Sequence, residues 1–230
     1  MTDALLMPLL TGLTVLAYCA ALWLYRRAGA TPLLLPVVVA VPIVILVLIM
    51  ADIPYPHYAQ ANAPLQWLIG PATVALAIPL YSQLGRLRRC AVPVMLALGA
   101  GAATAIVSAV LVSRWMGASV PTQLSLAPKS LTMPIAMDIA GITGGIPALA
   151  SIAVAITGIA GGMLGSYVFR MLPASGPEAQ GFSLGLTAHA IGVARALHLG
   201  PTTGAFAALG MGLNGIFSAF LLPVLWGLMG

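Results

Sequence analysis

Charged side chains are scarce in this sequence. Nine basic and four acidic residues occur among 230, so only 6% of the chain is charged, whereas 61% is hydrophobic and the mean hydropathy is +1.08. A water-soluble domain of this size must cover its surface with far more polar groups. The scarcity of charge therefore excludes a soluble domain and predicts a protein whose solvent is the lipid bilayer.

A basic patch is also missing, although the formal net charge is +5. Most bases come directly after hydrophobic runs, which is the placement that orients helices in a bilayer. The sequence therefore predicts no nucleic-acid partner. The two cysteines, Cys19 and Cys90, are far apart and show no paired spacing, so neither a metal site nor a redox motif is indicated and no cofactor is predicted.

Signatures of catalysis are absent as well. Ser130, His189 and Asp138 include the residue types of a hydrolase triad, but no nucleophile elbow surrounds the serine and no HExxH spacing occurs. We therefore predict that the protein is not an enzyme. Asp138 is the acid with the most apolar surroundings, which suggests either proton coupling or a pairing with Lys129 or Arg195.

Long apolar runs are what the sequence does contain. Each reaches the roughly 20 residues that a helix needs to cross a hydrocarbon core about 30 Å thick. The runs are apolar on all sides, unlike the alternating segments of a membrane barrel. We predict an all-α polytopic membrane protein with about six transmembrane helices, near 4–25, 32–50, 64–84, 91–112, 146–169 and 204–228.

Basic clusters predict the orientation of these spans. Bases follow the first, third and fifth predicted spans, and such clusters stay in the cytoplasm. The residues assigned to the cytoplasm are Arg26, Arg27, Arg86, Arg88, Arg89 and Arg170. Six spans would then place both termini outside. The acidic start at Asp3, with no cleavage site after it, predicts that the first run is retained as a helix.

Two stretches, 119–143 and 178–199, are too polar for ordinary spans, and each is followed at once by a full-length span. Sliding the chain by 56 residues places Gly144 over Gly200 and the fifth span over the sixth. We predict two re-entrant or broken-helix hairpins and an inverted repeat of the kind found in secondary transporters. The predicted organisation is a single transmembrane domain, 1–230, with four spans in 1–113 and a hairpin plus a span in each of 119–169 and 177–230.

Prolines interrupt the third predicted span on both sides of Thr73. Pro71 and Pro79 remove helical hydrogen bonds, which either exposes backbone groups and Thr73 to a ligand or simply kinks the helix for packing. Both interpretations stay open. Asn214, on a glycine-rich face of the last span, is likewise either a ligand or an interhelical hydrogen-bonding residue.

The first polar stretch contains the only lysine, Lys129, followed by Ser130 and Thr132. A helix that begins near Ser130 would offer free N–H groups, a positive dipole end and an ammonium group to an anion. The alternative is a lysine that snorkels to the interface beside a serine that caps the helix. We favour the anion site, because Pro134 and the glycines beyond it suit a re-entrant hairpin.

The second polar stretch places His189, Gly192 and Arg195 at spacings of three residues, near one helical face. A histidine beside a glycine suits direct contact with a small substrate. The alternatives are a packed, hydrogen-bonded structural histidine and an arginine that serves as a cytoplasmic anchor.

Four motifs together resemble the LrgB family, also called the CidB family. They are GPATVALAIPLY at 70–81, PKSLTMPIA at 128–136, GGIP at 144–147 and HAIGVARA at 189–196. The resemblance covers nearly the whole chain in the same order. It implies a bacterial inner-membrane protein that works with a small membrane partner of the LrgA or CidA type. It also assigns Lys129, Ser130 and Thr132 to one hairpin and His189, Gly192 and Arg195 to the other.

Family members have been described in two ways, and the resemblance implies both as alternatives. One is a secondary transporter of small monocarboxylates such as pyruvate, and a related plastid protein translocates glycolate and glycerate. The other is an antiholin-like regulator of murein hydrolase activity and autolysis that moves no solute itself. We favour transport, with the carboxylate bound between the hairpins and the broken third span. Homo-oligomers are left open.

Overall fold

Helices form every regular element in the described part of the chain. The computed structural model describes residues 3–75, 77–172 and 176–229, and no strand occurs within these ranges. A single turn of 3₁₀ helix lies at Pro32–Leu34. The α-helices are α1 (Asp3–Arg27), α2 (Pro36–Met50), α3 (Tyr55–Ala61), α4 (Ala63–Trp67), α5 (Ile69–Ala75), α6 (Ala77–Ser82), α7 (Leu84–Arg89), α8 (Ala91–Trp115), α9 (Val120–Leu126), α10 (Met133–Thr143), α11 (Pro147–Met171), α12 (Pro177–Leu199) and α13 (Pro201–Met229).

Five of the described segments are long and apolar enough to cross a membrane. They confirm the predicted class, an all-α polytopic membrane protein. The number of crossings and the inverted repeat remain predictions. The five segments are Leu6–Arg27, Pro32–Met50, Ala91–Trp115, Pro147–Met171 and Pro201–Leu228.

The third predicted span, 64–84, consists of short helices, as the interruption by its prolines predicts. The chain there forms the short helices α4, α5 and α6, and α7 begins at its end. Proline explains the break after α4, since its ring clashes with the carbonyl four residues earlier. Helix α4 ends at Trp67, four residues before Pro71, and residue 76, between α5 and α6, lies outside the described residues. The predicted loop after α2 is also helical, because α3 begins at Tyr55.

The chain divides after Ala77 into two compact units. In the first, small residues of α1 pack on α2 around Ala21 and Val44. Helix α3 attaches to α1 through polar side chains: the Thr14 hydroxyl donates to Asn62 Oδ1 (2.9 Å), and the Thr11 hydroxyl donates to the carbonyl of Ala61 (2.6 Å). These bonds remove the polar groups of α1 from lipid.

The second unit contains the long helices α8, α11 and α13 with both polar stretches between them. Its main core joins α8, α12 and α13 through Leu98, Phe182 and Phe206. A second core joins α10 to α11 through Ala140 and Val154. Both polar stretches are thus held by packing within this unit, where most of the predicted site residues lie.

Candidate functional site at the hairpin tips

The first polar stretch folds as a hairpin made of α9, the tip 127–132 and α10. Helix α9 leads back along α8, and Ala127 at the tip packs against Ile106 and Val110 of α8. Beyond α10, the amide of Ile146 donates to the hydroxyl of Ser125 in α9 (2.7 Å). The chain has therefore returned beside α9, so the stretch enters and leaves at the same end of the unit. Gly144 permits the return with a left-handed φ of 88°.

Helix α12 contains a reversal at His189, where φ is 40° and ψ is −131°. Before it, Gly181 lies against Thr203 and Gly185 against Ala207, so this arm runs parallel to α13. After it, only Gly200 separates the end of α12 from the start of α13, and the start of α13 lies beside the first arm near Gly181. The second arm therefore runs back toward the start of the first. We name 177–188 the first arm and 190–199 the second arm.

Arg86 of α7 marks the end at which both arms of α12 lie. Its guanidinium is 3.5 Å from a carboxylate oxygen of Glu178, near the start of the first arm. The same side chain donates to the hydroxyl of Thr202, just beyond the second arm (3.2 Å). One side chain reaches both ends of α12, which is the geometry of a re-entrant hairpin rather than of a crossing helix.

Two glycines allow the first arm to approach α13 closely. A Cβ atom added at Gly181 or Gly185 would overlap the backbone carbonyl of Thr203 or Ala207. Small residues four apart on one helix face are typical of tight helix packing in membranes, where the hydrophobic effect does not hold helices together. The first arm and α13 are thus in backbone contact.

His189 ties the tip of the second hairpin to α11. Its side chain is buried, and Nε2 donates to the carbonyl of Val154 (3.0 Å), which assigns the proton to that nitrogen. A positive φ is costly for a residue other than glycine and persists only where the surroundings hold it. Gly158 of α11 provides the space, since a Cβ there would lie 2.5 Å from Cε1 of the imidazole.

Asn214 of α13 joins the two hairpin tips. Its side-chain amide donates to the carbonyl of Ser130 in the first tip and to the carbonyl of Leu186 in the first arm, both at 3.0 Å. Its Oδ1 accepts a hydrogen bond from Ser218 (2.9 Å). With only 2% of its surface exposed, Asn214 is the point at which both hairpins meet.

The remaining predicted residues lie around this junction with different contacts. Lys129 and Thr132 are half-buried beside Ser130, and Thr132 precedes the first turn of α10. Gly192 lies where a Cβ would overlap the carbonyl of Leu184, so its closest neighbour is the other arm of its own hairpin. The buried Arg195 donates to the hydroxyl of Ser166 in α11 (3.2 Å).

Thr73 belongs to the first compact unit, in α5, and its side chain lies outside the described residues. Asp138 is exposed on α10. Within the described ranges, no group of three His, Cys, Asp or Glu residues lies close enough to hold a metal ion. The polar groups at the junction are therefore amides, hydroxyls and carbonyls, with Lys129 beside them.

Sequence reasoning missed Ser218 and Gly158. Ser218 lies four residues after Asn214, so the two share a helix face, and two polar residues at that spacing in an apolar span could have indicated the pair. Gly158 carried no comparable signal, because a glycine in a glycine-rich helix is informative only when its neighbour across the interface is known.

Comparisons with known proteins agree with the motifs. The profile of the LrgB-like family matches residues 14–228. Protein YwbG of Bacillus subtilis is 34% identical over 220 residues, covering 94% of this chain and 96% of its own, and an uncharacterized protein of Haemophilus influenzae is 33% identical over 221 residues, covering 96% and 95%. The antiholin-like protein LrgB of Bacillus mycoides is 27% identical over 211 residues, covering 92% of each chain. No solved structure matches. Since the family profile covers nearly the whole chain, the protein belongs to the LrgB-like family.

Proposed function

We propose that this protein is a secondary transporter of small monocarboxylates, of the pyruvate, glycolate or glycerate type, in the bacterial inner membrane. The observation that carries the proposal is the meeting of two re-entrant hairpins at Asn214. Irregular backbone is expensive at membrane depth unless it is buried in protein or lines a path for solute. Broken helices that meet inside the bilayer are typical of transporter binding sites.

The first tip and the second arm supply the groups that would hold the carboxylate. Lys129 lies in the first tip, before Thr132 and the start of α10 at Met133, where free N–H groups and the positive end of the helix dipole favour an anion. The second arm likewise begins with the N-terminus of a helix, directly after His189. The two hairpins enter from opposite ends of α11. Their movement against each other would therefore expose the junction to one side of the membrane at a time.

Uptake into proteoliposomes tests the proposal directly. Purified protein would be reconstituted alone and with an LrgA-type partner, and entry of radiolabelled pyruvate, glycolate and glycerate measured against concentration. We expect saturable uptake of at least one of them, competed by the unlabelled acid. Flux equal to that of empty liposomes in both preparations, from correctly folded protein, would contradict transport.

An antiholin-like regulator is the second candidate, and the name of the related antiholin-like protein of Bacillus mycoides favours it. In that case the hairpins would serve only to build a surface for a membrane partner. If the protein is a regulator, a strain that lacks it should autolyse at a changed rate. Expression of the Lys129→Ala variant in that strain should restore the normal rate fully. A transporter predicts that Lys129→Ala fails to restore carboxylate uptake.

A further inference from the structure

A small cavity lies at the junction of the hairpins, between the first tip, α8 and α13. Its polar lining comes from Ser130, Asn214 and Ser218, which are respectively 7%, 2% and 2% exposed. Ala102 and Ile106 of α8 complete its wall with apolar groups. All three polar residues are thus more than nine-tenths buried, and the cavity adjoins the hydrogen bonds that join the two hairpins.

The size of the cavity excludes a carboxylate in this conformation. It offers about 10 Å³ to the centre of a water-sized sphere, which is roughly the room for a single water molecule. Pockets for organic ligands usually measure about 300 to 1,000 Å³. The occupant must therefore be one particle of the size of a water molecule or a bare monatomic ion.

Hydrogen-bond counting shows which charge the lining favours. Both amide protons of Asn214 are used, one on the carbonyl of Ser130 and one on that of Leu186. The single hydroxyl proton of Ser218 is used on Asn214 Oδ1. Lone pairs remain on Asn214 Oδ1 and on the Ser218 hydroxyl, whereas the donors of both residues are spent. The Ser130 hydroxyl can turn its lone pairs inward as well. The lining therefore offers three oxygen acceptors, which suit a cation or the protons of a water molecule better than an anion.

The chemistry of the lining also selects the class of cation. Among the described residues, no carboxylate, imidazole or thiol lines the cavity, so a divalent or transition-metal ion would lack the ligands that compensate its dehydration. Transporters coordinate Na⁺ with uncharged oxygens, such as the backbone carbonyls of unwound helix segments. We infer that this cavity binds one small alkali cation of the size of Na⁺, held by Ser130, Asn214 and Ser218.

Binding of the cation would fasten the first hairpin to α13, since its ligands come from both. A role for this cation as the coupling ion of uptake rests on the proposed transport function. The binding itself does not, so the two can be tested apart.

Thermal unfolding of the purified, detergent-solubilised protein tests the binding. The midpoint would be measured in increasing NaCl, with choline chloride holding the ionic strength constant. We expect a saturable rise, of roughly 3 to 6 °C at ten times the dissociation constant. Ser218→Ala should lose most of this rise, whereas Ser183→Ala, an exposed serine of the first arm, should keep it.

Equal midpoints of the wild-type protein in NaCl and choline chloride would overturn the site and indicate that the cavity holds water. This comparison needs no variant, so it stands even if Ser218→Ala does not fold. Carboxylate uptake that proceeds equally without Na⁺, together with equal midpoints, would remove the cation site and leave transport intact. A sodium-specific rise in a protein that moves no carboxylate would support the site and contradict the transport function.

Discussion

At the residue scale, the absence of a side chain at Gly158 determines where His189 can lie. The imidazole fills the space that a Cβ of residue 158 would take, at 2.5 Å from Cε1 and 2.6 Å from Nε2. Contacts this short require the ring to move, and the ring is buried with its Nε2 bonded to Val154. The two residues therefore form one packing unit at the tip of the second hairpin.

Gly158→Ala should destabilise the protein by about 1 to 3 kcal/mol, because overpacking a buried site displaces neighbouring groups. Thermal unfolding in detergent measures the loss. Gly212→Ala is the matched control, since no atom of the described residues lies within 4 Å of a Cβ on that α13 glycine. If both variants unfold at the wild-type temperature, the close contact between Gly158 and His189 is not present in the protein.

Lys129→Ala should weaken carboxylate binding by roughly tenfold to a hundredfold. A charge-assisted hydrogen bond is worth about 1.5 to 3 kcal/mol, and the substitution removes the ammonium that would make it. The concentration dependence of uptake measures the change, and folding should survive because Lys129 is only half-buried.

His57→Ala, on the exposed surface of α3, serves as the control for Lys129→Ala and should leave uptake unchanged. Unchanged saturable flux in well-expressed Lys129→Ala protein would instead place the ammonium among lipid headgroups. That result would remove Lys129 from the anion site without affecting the hairpin geometry.

At the element scale, the reversal of α12 predicts that both of its ends are accessible from the same side of the membrane, whereas a straight helix of the same length would place them on opposite sides. Ala179 and Leu199 are 20 positions apart, which in a continuous helix is about 30 Å, the thickness of the hydrocarbon core. In the hairpin both lie at the end marked by Arg86. In a background without Cys19 and Cys90, Ala179→Cys and Leu199→Cys should react with an impermeant maleimide from the same side of the membrane.

Ser119→Cys provides the reference for this labelling, because the first hairpin enters at the other end of α11. It should react from the opposite side. Labelling of Ala179→Cys and Leu199→Cys from opposite sides would show that α12 crosses the membrane and would remove the second hairpin.

The same element shows how far the sequence could lead. Polarity marked 178–199 as unsuited to span the membrane, and the long apolar runs predicted the crossing helices, because bilayer thickness constrains both. The position of the reversal could not be predicted: it falls on His189, whose positive φ runs against its own preference and depends on the space beside Gly158. Asn214 was recognised as polar, but its two carbonyl partners belong to distant parts of the chain.

The third predicted span shows the limit of hydropathy at one helix break. Its apolar composition predicts a crossing helix, whereas α4 ends at Trp67, four residues before Pro71. Hydropathy reports whether a segment prefers lipid, and it does not report whether the backbone stays continuous. The prolines were visible in the sequence, but a kink and a full break have the same signature there.

At the scale of the whole molecule, the basic clusters predict an even number of crossings. We expect both termini outside and the clusters at Arg26, Arg86 and Arg170 in the cytoplasm. Fusions of alkaline phosphatase, active outside, and green fluorescent protein, fluorescent inside, at the C-terminus and after Arg170 would measure this. A fluorescent C-terminal fusion would contradict the six-span count and the inverted repeat that depends on it.

The position of Asn214 in the last helix also bears on biogenesis. Both hairpins are synthesised before α13, yet the amide that binds them together arrives only with it. Until then the carbonyls of Ser130 and Leu186 lack this partner in a medium that provides no water. The nascent chain should therefore pass through a stage in which the 200 of its 230 residues that precede α13 are made but the hairpins are not yet joined. At that stage we expect the hairpins to be exposed to membrane proteases and to depend on insertion chaperones.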